Sequence, residues 1–329
     1  MDTRPPLTLQ IVQARLLNPL IRELRLRAPD GGALPPFEPG AHLRVQVRLP
    51  DGSSDWRAYS LIRFDDEKSA APTEYRIAVR LEAQGRGGSR FMHDAAAQAE
   101  GGLLQVEPPK NDFALQAHAG CVWLLAGGIG VTPLIAMAAR RRAQGLPVRM
   151  FYAGRSRAQL AYLDELQALL GADLQLHLDD EAGAPPDIAA LLAGMGAQDA
   201  LYVCGPAPML EAAQAQAAAL GWPPGRLHFE VFNAPAAQQG DHAFELVLAA
   251  SGRTLQVGAE QTILQCLIDA GCDPIFDCQR GECGVCAAPV LEGEIDHRDF
   301  VLTAREKAEG TVIQTCVSRA KGTRLVLDL

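Results

Sequence analysis

The chain has 329 residues, of which 48% are hydrophobic, and its 39 acidic and 30 basic side chains give a formal net charge of −9. It is longer than one domain of typical size, so two or three domains are expected. The acidic balance argues against binding to nucleic acid or to an anionic membrane surface through long-range attraction. Residues 1–6 lack the apolar core of a signal peptide.

Residues 1–110 contain short alternating runs separated by glycine and proline. Residues 43–49 alternate apolar and polar side chains before a turn at Pro50-Asp51-Gly52, and residues 75–81 repeat the alternation. Alternation at period two is typical of half-buried strands. This region therefore predicts a small antiparallel β-barrel domain.

Two segments of this first domain carry candidate anion- and ring-binding residues. Arg57-Ala58-Tyr59-Ser60 ends a strand, and Gly85-Arg86-Gly87-Gly88-Ser89-Arg90-Phe91 precedes a short helix. An arginine holds a phosphate through a bidentate fork, and a tyrosine ring lies against a flat aromatic ligand. Backbone N–H groups at a helix start bind the same kind of anion. Taken singly, each segment is more often an ordinary surface feature.

Residues 111–232 alternate apolar strands with helices, which predicts a doubly wound α/β domain around a parallel sheet. The expected strands are 122–125, 148–152, 174–177 and 201–203, and the expected helices are 160–170 and 209–220. The uncharged residues 113–139 are long enough to cross a membrane. Glycines and a proline interrupt them, however, and a buried strand, a turn and a helix fit better.

The interrupting residues form the sequence Gly127-Gly128-Ile129-Gly130-Val131-Thr132-Pro133. Its glycines leave room for a pyrophosphate beside the N–H groups of a helix start. We expect Thr132 to cap that helix and Pro133 to be its first residue. Alone, such a turn is weak evidence for a nucleotide site.

A second loop supports the nucleotide site. Cys204-Gly205-Pro206 follows the last predicted strand of this domain. Ligands of doubly wound sheets bind beyond the carboxyl ends of the strands, so both loops are expected to line one crevice. By itself, Cys204 is more simply interpreted as a small core side chain.

Residues 233–243 are interpreted as a linker, and residues 244–329 contain the most specific pattern of the chain. Cys278, Cys283 and Cys286 have the spacing C-x4-C-x2-C, and Cys316 follows after a gap of 29 residues. This spacing is typical of a plant-type [2Fe-2S] cluster with four thiolate ligands. A zinc site is the alternative, but zinc sites usually have two C-x2-C pairs and this segment has one.

The remaining cysteines are Cys121, Cys204, Cys266 and Cys272, all in apolar surroundings. They are interpreted as reduced core residues, which together with an iron–sulfur cluster favours a cytoplasmic protein.

The ordered set of motifs resembles the phthalate dioxygenase reductase family, which includes vanillate demethylase reductases and belongs to the ferredoxin–NADP reductase superfamily. The resemblance rests on Arg57-x-Tyr59-Ser60, the loop at 85–89, the loop at 127–133, Cys204-Gly205-Pro206, Phe229-Glu230-x-Phe232 and the four C-terminal cysteines. It covers essentially the whole chain. It implies an FMN-binding β-barrel domain (1–110), an NAD(P)H-binding α/β domain (111–232) and, after the linker, an α+β β-grasp ferredoxin domain (244–329).

The resemblance also implies roles for individual residues. The flavin-binding positions are Arg57, Tyr59, Ser60, Gly87, Gly88 and Ser89. The positions facing the nicotinamide nucleotide are Gly128, Gly130, Thr132 and Cys204. Ser60 is expected near the reactive edge of the flavin, and Phe232 near the contact between flavin and nicotinamide. Ser60, Cys204 and Phe232 are therefore the candidates for the reacting site.

One position departs from the family pattern. Ala153-Gly154-Arg155-Ser156-Arg157 has a serine where the phthalate enzyme pattern has an acidic residue. An acidic group there favours the free ribose of NADH and repels the 2′-phosphate of NADPH. Ser156 and Arg157 remove that discrimination, so NADPH stays open, and NADH is expected on family grounds.

The resemblance implies a reductase that moves electrons from NADH through FMN and the cluster to a Rieske-type terminal oxygenase. The partner would hydroxylate or demethylate an aromatic acid or oxidise an amine. One alternative is an electron-transfer subunit locked in a dehydrogenase complex, as in dihydroorotate dehydrogenase assemblies. The other is an iron–sulfur redox sensor. The long gap before Cys316 argues against the first, and the flavin and nucleotide motifs argue against the second.

Overall fold

The computed structural model describes residues 5–65, 71–97, 102–223, 225–234 and 237–329. The chain divides into two compact units, Met1–Glu230 and Val231–Leu329. The first unit contains an antiparallel sheet followed by a parallel one, and the second contains the four C-terminal cysteines. In the described part of the chain, no helix is long and apolar enough to cross a membrane.

The first sheet confirms the predicted antiparallel β-barrel fold. Its strands are β1 (Leu7–Asn18), β2 (Ile21–Arg27), β3 (His42–Arg48), β4 (Ser54–Ser60), β5 (Tyr75–Arg80) and β6 (Leu103–Val106). Their order is β4-β3-β6-β1-β2-β5, and every pairing between them is antiparallel. Just beyond β4, the N–H of Ile62 donates to the carbonyl of Arg76 in β5 at 2.9 Å, which brings the two edges of the sheet together. Helix α1 (Gly88–Ala97) lies between β5 and β6 in the chain.

Alternation of side chains places one face of this sheet in a closed core. In β3, Leu43, Val45 and Val47 are at most 1% exposed, while Arg48 at the end of the strand is exposed. Apolar side chains of the other strands complete that core, so the period-two pattern in the sequence predicts the buried face correctly.

The second sheet is parallel, as predicted. Its strands are β7 (Val122–Gly127), β8 (Val148–Gly154), β9 (Leu174–Leu178), β10 (Ala200–Cys204) and β11 (Leu227–Glu230). Their order is β11-β10-β7-β8-β9. The helices between them are α2 (Val131–Ala143), α3 (Leu163–Leu170), α4 (Asp179–Ala182), α5 (Ile188–Ala193) and α6 (Ala207–Ala219). Every residue of β7 and of β10 is buried, as expected of central strands covered on both faces.

The predicted helix at 160–170 begins three residues late, at Leu163. Leu160 is extended, and Tyr162 has left-handed backbone angles with φ 59°. The N–H of Ala161 donates to the Tyr152 hydroxyl at 3.0 Å. The apolar side chains at 160 and 161 are buried by packing against β8 and not by helix formation, which the periodicity of the sequence does not distinguish.

The predicted helix start at Thr132 and Pro133 is also wrong. Residues Gly128–Gly130 form a 3₁₀ turn, and α2 follows directly at Val131 with Gly130 as its N-cap. Thr132 is thus the second helical residue, and its hydroxyl donates to the carbonyl of Ile129 at 3.0 Å. Because the 3₁₀ turn leads directly into α2, no side chain among the described residues caps the start of this helix.

The second unit has the α+β arrangement expected of a β-grasp domain. Its elements are β12 (Phe244–Leu248), β13 (Arg253–Val257), α7 (Ile263–Asp269), β14 (Ala287–Glu292), β15 (Ile295–Asp296), α8 (Ala304–Glu309), β16 (Val312–Gln314), β17 (Arg319–Ala320) and β18 (Arg324–Leu327). The main sheet has the order β13-β12-β18-β14-β16, and β12 and β18 are parallel. Helix α7, capped by the Thr262 side chain, packs its apolar face on this sheet.

Part of the predicted linker is tied to this unit. Residues 235 and 236 lie outside the described residues, but Asp241 lies in a well-defined ion pair. Both of its carboxylate oxygens accept from Arg298, at 2.9 and 2.5 Å, and Arg319 lies 3.9 Å away. The Arg298 hydrogen bonds hold the pKa of the Asp241 carboxyl well below its usual range. Asp241 therefore acts as an anchor at the edge of the ferredoxin fold.

Replacing Asp241 with Asn is expected to cost about 2 kcal/mol of stability at pH 7, because a charge-assisted pair is lost. The folded-state pKa of Asp241 is depressed, so its contribution is present above an unfolded pKa of about 4 and declines as the pH falls below it. Urea denaturation of holoprotein at pH 7 and pH 4, followed by cluster absorbance, measures this. The difference between wild type and D241N should be smaller at pH 4, and an equal difference at both values would contradict the assignment.

Candidate functional sites

The two glycine-containing loops of the parallel sheet pack against each other backbone to backbone. They follow β7 and β10, which are neighbouring strands with Gly127 and Cys204 at their carboxyl ends. A Cβ atom built on Gly130 would lie 2.1 Å from the carbonyl oxygen of Cys204. One built on Gly127 would lie 2.5 Å from Cδ of Pro206. The two loops that are predicted to line one nucleotide crevice therefore adjoin, and two glycines of this candidate crevice are required by close backbone approach.

The predicted nucleotide-facing residues lie around this crevice. Gly128 has a left-handed φ of 55°, and no atom lies within 4 Å of a Cβ built there. Thr132 is buried in the first turn of α2, and Cys204 is 1% exposed. The loop after β7 offers glycine backbone groups and the N-terminus of α2, a helix of 13 residues. A pyrophosphate requires such an environment.

Ser156 and Arg157 lie at the end of the neighbouring strand β8. Ser156 is extended and precedes a 3₁₀ turn at Arg157–Gln159. The guanidinium Nη2 of Arg157 lies 3.9 Å from Oε1 of Glu181, and both side chains are exposed. Glu181 belongs to α4, whose sequence Asp-Asp-Glu-Ala carries three acidic residues. The fold thus places acidic residues that follow β9 close to Arg157, although 24 positions separate Arg157 from Glu181 in the sequence.

The candidate phosphate site in the barrel brings together two segments separated by 30 residues. Arg57 in β4 lies against the start of α1, with its Nε 3.0 Å from a Cβ built on Gly88. Gly87 has φ 100°, and a Cβ there would meet Cδ of Pro50 at 2.5 Å. The first α-helical hydrogen bond of α1 runs from Phe91 N to Gly87 O, so the N–H groups of residues 88–90 precede it. An arginine beside free helical N–H groups fits a phosphate.

The residues next to Arg57 fit a flat ring. Tyr59 is half-buried, and burial raises the pKa of its hydroxyl, so it is neutral at physiological pH. Ser60 is 5% exposed, and its Oγ has no hydrogen-bond partner among the described residues. An orphaned buried hydroxyl is costly unless a ligand completes it. Ser89 is predicted to offer its backbone N–H, and its Oγ accepts from the N–H of Glu82 at 3.0 Å, which ties the loop at 85–89 to the end of β5.

The four C-terminal cysteines converge from two segments. Cys278, Cys283 and Cys286 lie on one loop, and Cys316 follows β16. Thr315 joins the segments, because its N–H and its hydroxyl both donate to the carbonyl of Cys286, at 3.2 and 3.0 Å. A Cβ on Gly281 would lie 2.8 Å from Cγ2 of Val317, which shows how closely the loop wraps the second segment.

The thiols interact as two pairs. In the first pair, the Cys316 thiol donates a hydrogen bond to Cys286, which lowers the pKa of the Cys286 thiol to about 6. In the second pair, Cys283 interacts with Cys278, and burial is the main cause that raises the pKa of the Cys283 thiol. All four cysteines are free. Each iron of a [2Fe-2S] cluster takes two thiolates, so two pairs fit that centre. Among the described residues, no group of three or more His, Cys, Asp or Glu side chains is placed to hold a single metal ion, as a zinc site would be.

Phe232 is half-buried and lies two residues after β11, within the second unit. Its expected place beside flavin and nicotinamide stays a prediction. The sequence interpretation missed an ion pair inside the cysteine loop, between Arg280 and Glu282, and the contact of Glu282 with Val231. The signal that was available is the presence of two charged residues in a loop whose other members are cysteines, glycines, Gln279 and Val285.

An antiparallel barrel, a parallel sheet and a four-thiol β-grasp domain on one chain are the architecture of a flavin- and iron–sulfur-dependent oxidoreductase. Two family models match the chain. One is the dimethylamine monooxygenase subunit DmmA-like, N-terminal domain, over residues 103–227, and the other is the 2Fe-2S iron–sulfur cluster binding domain, over residues 247–321.

Similar proteins cover the whole chain. A putative toluene-4-sulfonate monooxygenase system reductase subunit of Comamonas testosteroni is 41% identical over 100% of both chains. The β subunit of a haem-dependent oxidative N-demethylase of Ectopseudomonas mendocina is 38% identical over 98% of this chain and 99% of that one.

Phthalate dioxygenase reductase of Burkholderia cepacia is 37% identical over 98% of this chain and 97% of its own length. A solved structure of phthalate dioxygenase reductase, described as modular for electron transfer from pyridine nucleotides to [2Fe-2S], has a TM-score of 0.72 at 36% identity and covers 98% of each chain. The chain belongs to the phthalate dioxygenase reductase family.

Proposed function

We propose that this protein is the reductase component of a Rieske-type two-component oxygenase system, with NADH as its electron donor. The observation that supports the proposal is that one chain combines Arg57 beside the start of α1, two adjoining glycine loops after β7 and β10, and four converging cysteines. Flavin accepts a hydride and releases electrons singly, and a [2Fe-2S] cluster carries one electron at a time, so the cofactors supply the redox chemistry. The protein's part is to bind, orient and shield them.

The residues that would hold FMN are those of the barrel site. Arg57 and the N–H groups at the start of α1 would bind its phosphate, and the missing Cβ of Gly88 lets the Arg57 side chain lie against that helix start. Tyr59 would lie against the ring. The Ser60 hydroxyl, buried without a partner among the described residues, would donate to the flavin. Burial around that hydroxyl excludes competing water.

The crevice would hold the nicotinamide nucleotide. Gly128, Gly130 and the first turn of α2 would bind the pyrophosphate, and Thr132 and Cys204 would face the nucleotide. Phe232 would lie near the contact between flavin and nicotinamide. No side chain is assigned as a general base, because the bound cofactors would supply the hydride chemistry.

NADH is favoured over NADPH by the charge around Ser156. A 2′-phosphate would need Arg157 as its partner. The Arg157 guanidinium already lies 3.9 Å from the carboxylate of Glu181, which belongs to α4 together with Asp179 and Asp180. Those carboxylates repel a phosphate and accept hydrogen bonds from free ribose hydroxyls.

The ratio of kcat/KM for NADH to that for NADPH should therefore fall in a Glu181→Gln variant. An exposed pair contributes up to about 1 kcal/mol, which corresponds to a gain of roughly 2- to 5-fold for NADPH. Direct titration of NADP⁺ binding checks the same change without turnover. The matched control is Glu309→Gln, which removes an exposed pair with Arg305 in the second unit. Higher kcat/KM with NADPH in the wild type would overturn the choice of NADH.

The electron acceptor proposed is an oxygenase that hydroxylates or demethylates an aromatic acid or oxidises an amine. The segment 244–329 carries 13 acidic and 8 basic residues, a net charge of −5, which would steer it to a basic oxygenase surface. The haem-dependent relative favours a haem oxygenase as a second candidate. Pull-down of the partner and its absorption spectrum distinguish the two. A cytoplasmic location is proposed because all eight cysteines are free.

Anaerobic titration with NADH tests the function itself. The holoprotein should bleach its flavin and develop the EPR signal of a reduced [2Fe-2S] centre. Rapid reduction of cytochrome c would exclude a purely sensory role. A stable complex with a dehydrogenase that survives gel filtration would instead support the locked electron-transfer subunit.

A further inference from the structure

The cysteine loop of the second unit contains a buried carboxylate with two partners. One oxygen of Glu282, Oε1, lies 2.7 Å from Nη2 of Arg280. The other, Oε2, accepts the backbone N–H of Val231 at 2.6 Å. The Glu282 and Arg280 side chains are only 9% and 13% exposed. The carboxylate is therefore held by a charge on one side and by a main-chain donor on the other.

Loop closure alone does not require this residue. Gly281 and Gly284 supply the left-handed backbone, with φ values of 78° and 76°, and Thr315 joins the loop to the Cys316 segment. A buried carboxylate costs free energy unless it is fully paired, and a small apolar side chain at 282 would avoid that cost. The partner that distinguishes Glu282 is Val231, 51 residues earlier in the chain.

Val231 is the first residue of the second unit. It is 3% exposed, and it is joined to Glu230, the last residue of β11, which is also 3% exposed. Phe232, the aromatic residue proposed to lie near the contact between flavin and nicotinamide, is the next residue. Because a charge-assisted hydrogen bond is stronger than a neutral one, Glu282 fixes the segment 231–232 to the loop that carries Cys278, Cys283 and Cys286.

We propose that Glu282 is a positioning residue for electron transfer, which fastens the segment leaving the nucleotide domain to the cysteine loop. The inference rests on the proposed function. The Phe232 segment and the cysteine loop then move as one body. Arg280 orients the carboxylate, so that its second oxygen remains aimed at the Val231 N–H.

Two variants of the full-length holoprotein distinguish the contact of Glu282 with Arg280 from its contact with Val231. Glu282→Ala removes both contacts, whereas Glu282→Gln keeps an oxygen that can accept from Val231 and loses the ion pair. Glu292→Gln is the control, because it removes an exposed pair with Arg324 in the same unit. Hydrogen exchange of the Val231 amide, read by mass spectrometry on the oxidised protein, should become faster in E282A and stay near wild type in E282Q.

Single-turnover stopped flow with NADH gives the functional readout. In E282A, the iron content and EPR signal should be retained, and the rate of flavin bleaching is recorded separately as the preceding step. The following step, electron arrival at the cluster, should slow roughly ten-fold, since small misplacements of reacting groups have effects of this order. E282Q should recover most of that rate.

Three results would contradict these expectations, each for a different reason. Unchanged exchange at Val231 and an unchanged cluster-reduction rate in E282A would overturn the positioning role. A loss of cluster proportional to the loss of rate would also overturn it, by making Glu282 a residue of loop stability. If wild type itself failed to reduce its cluster from NADH, the proposed function would fail first, while the exchange result would still test the contact itself.

Discussion

Replacing Cys283 with Ser is expected to abolish the EPR signal of the reduced cluster while NADH continues to bleach the flavin. A serine oxygen replaces the thiolate that completes the Cys278–Cys283 pair, and an iron left with one thiolate of its two is not retained firmly. The flavin and nucleotide residues all belong to the first unit except Phe232, so their chemistry is independent of this ligand. EPR of the NADH-reduced protein and iron analysis provide the measurement. Cytochrome c reduction should fall at least ten-fold, to the level that the flavin supports alone.

Cys121→Ser is the matched control, because Cys121 is a free, half-buried cysteine of the first unit and lies outside the four-thiol set. It should keep full iron content and an unchanged EPR signal. If C283S kept the cluster signal and the cytochrome c rate, the proposed ligand set and the electron path through it would both be wrong.

Gly130→Ala is expected to raise the KM for NADH by ten-fold or more and to destabilise the first unit. The added Cβ would lie 2.1 Å from the carbonyl oxygen and 2.5 Å from the carbonyl carbon of Cys204. The clash is with backbone atoms, which cannot rotate away as the end of a flexible side chain would. The two loops must therefore separate, which costs about 1–3 kcal/mol of folding stability. Since those loops form both walls of the crevice, nucleotide binding falls with them. NADH titration and the thermal unfolding midpoint measure the two effects.

Gly145→Ala separates the clash from the cost of the backbone angle. Gly145 follows α2 with φ 65°, and a Cβ there meets no atom within 4 Å. Its substitution should cost about 1 kcal/mol and leave KM unchanged. A G130A variant with wild-type KM would show that the crevice is not the nucleotide site. The flavin and iron contents of both variants should match wild type.

Local patterns predicted most of the elements but not all of their ends. Strand β3 follows the alternation of residues 43–49 because its core is made of one face of the strand. The helix at 160–170 was predicted too long, because Leu160 and Ala161 are buried by contact with Tyr152 in another strand. The cap at Thr132 was wrong for a related reason, since a 3₁₀ turn packed on the Cys204 loop replaces it. In both places a long-range contact decided the backbone.

Asp241 shows the same limit for composition. Residues 233–243 have the small and polar residues of a linker, and nothing near them in the sequence indicates Arg298 as a partner. The fold brings these two residues together across 57 positions. The composition gives the number of charged groups, but the fold decides which of them come close enough to form ion pairs.

The sequence by itself determined the chemistry of this protein. The spacing of Cys278, Cys283, Cys286 and Cys316 specifies a cluster because four thiolates on a short loop and one distant segment match its geometry. Ordered motifs specified the family, because their joint occurrence is far less frequent than any one of them.

Only the tertiary structure decided how the parts are placed. Gly130 lies beside Cys204 because β7 and β10 are adjacent, although 73 residues separate the two positions. Arg57 lies beside Gly88 because α1 returns to β4, and Glu282 contacts Val231 because the cysteine loop closes on the first residue of the second unit. Such contacts follow from sheet order and loop closure, which are properties of the whole chain, and residue type at any one position does not encode them.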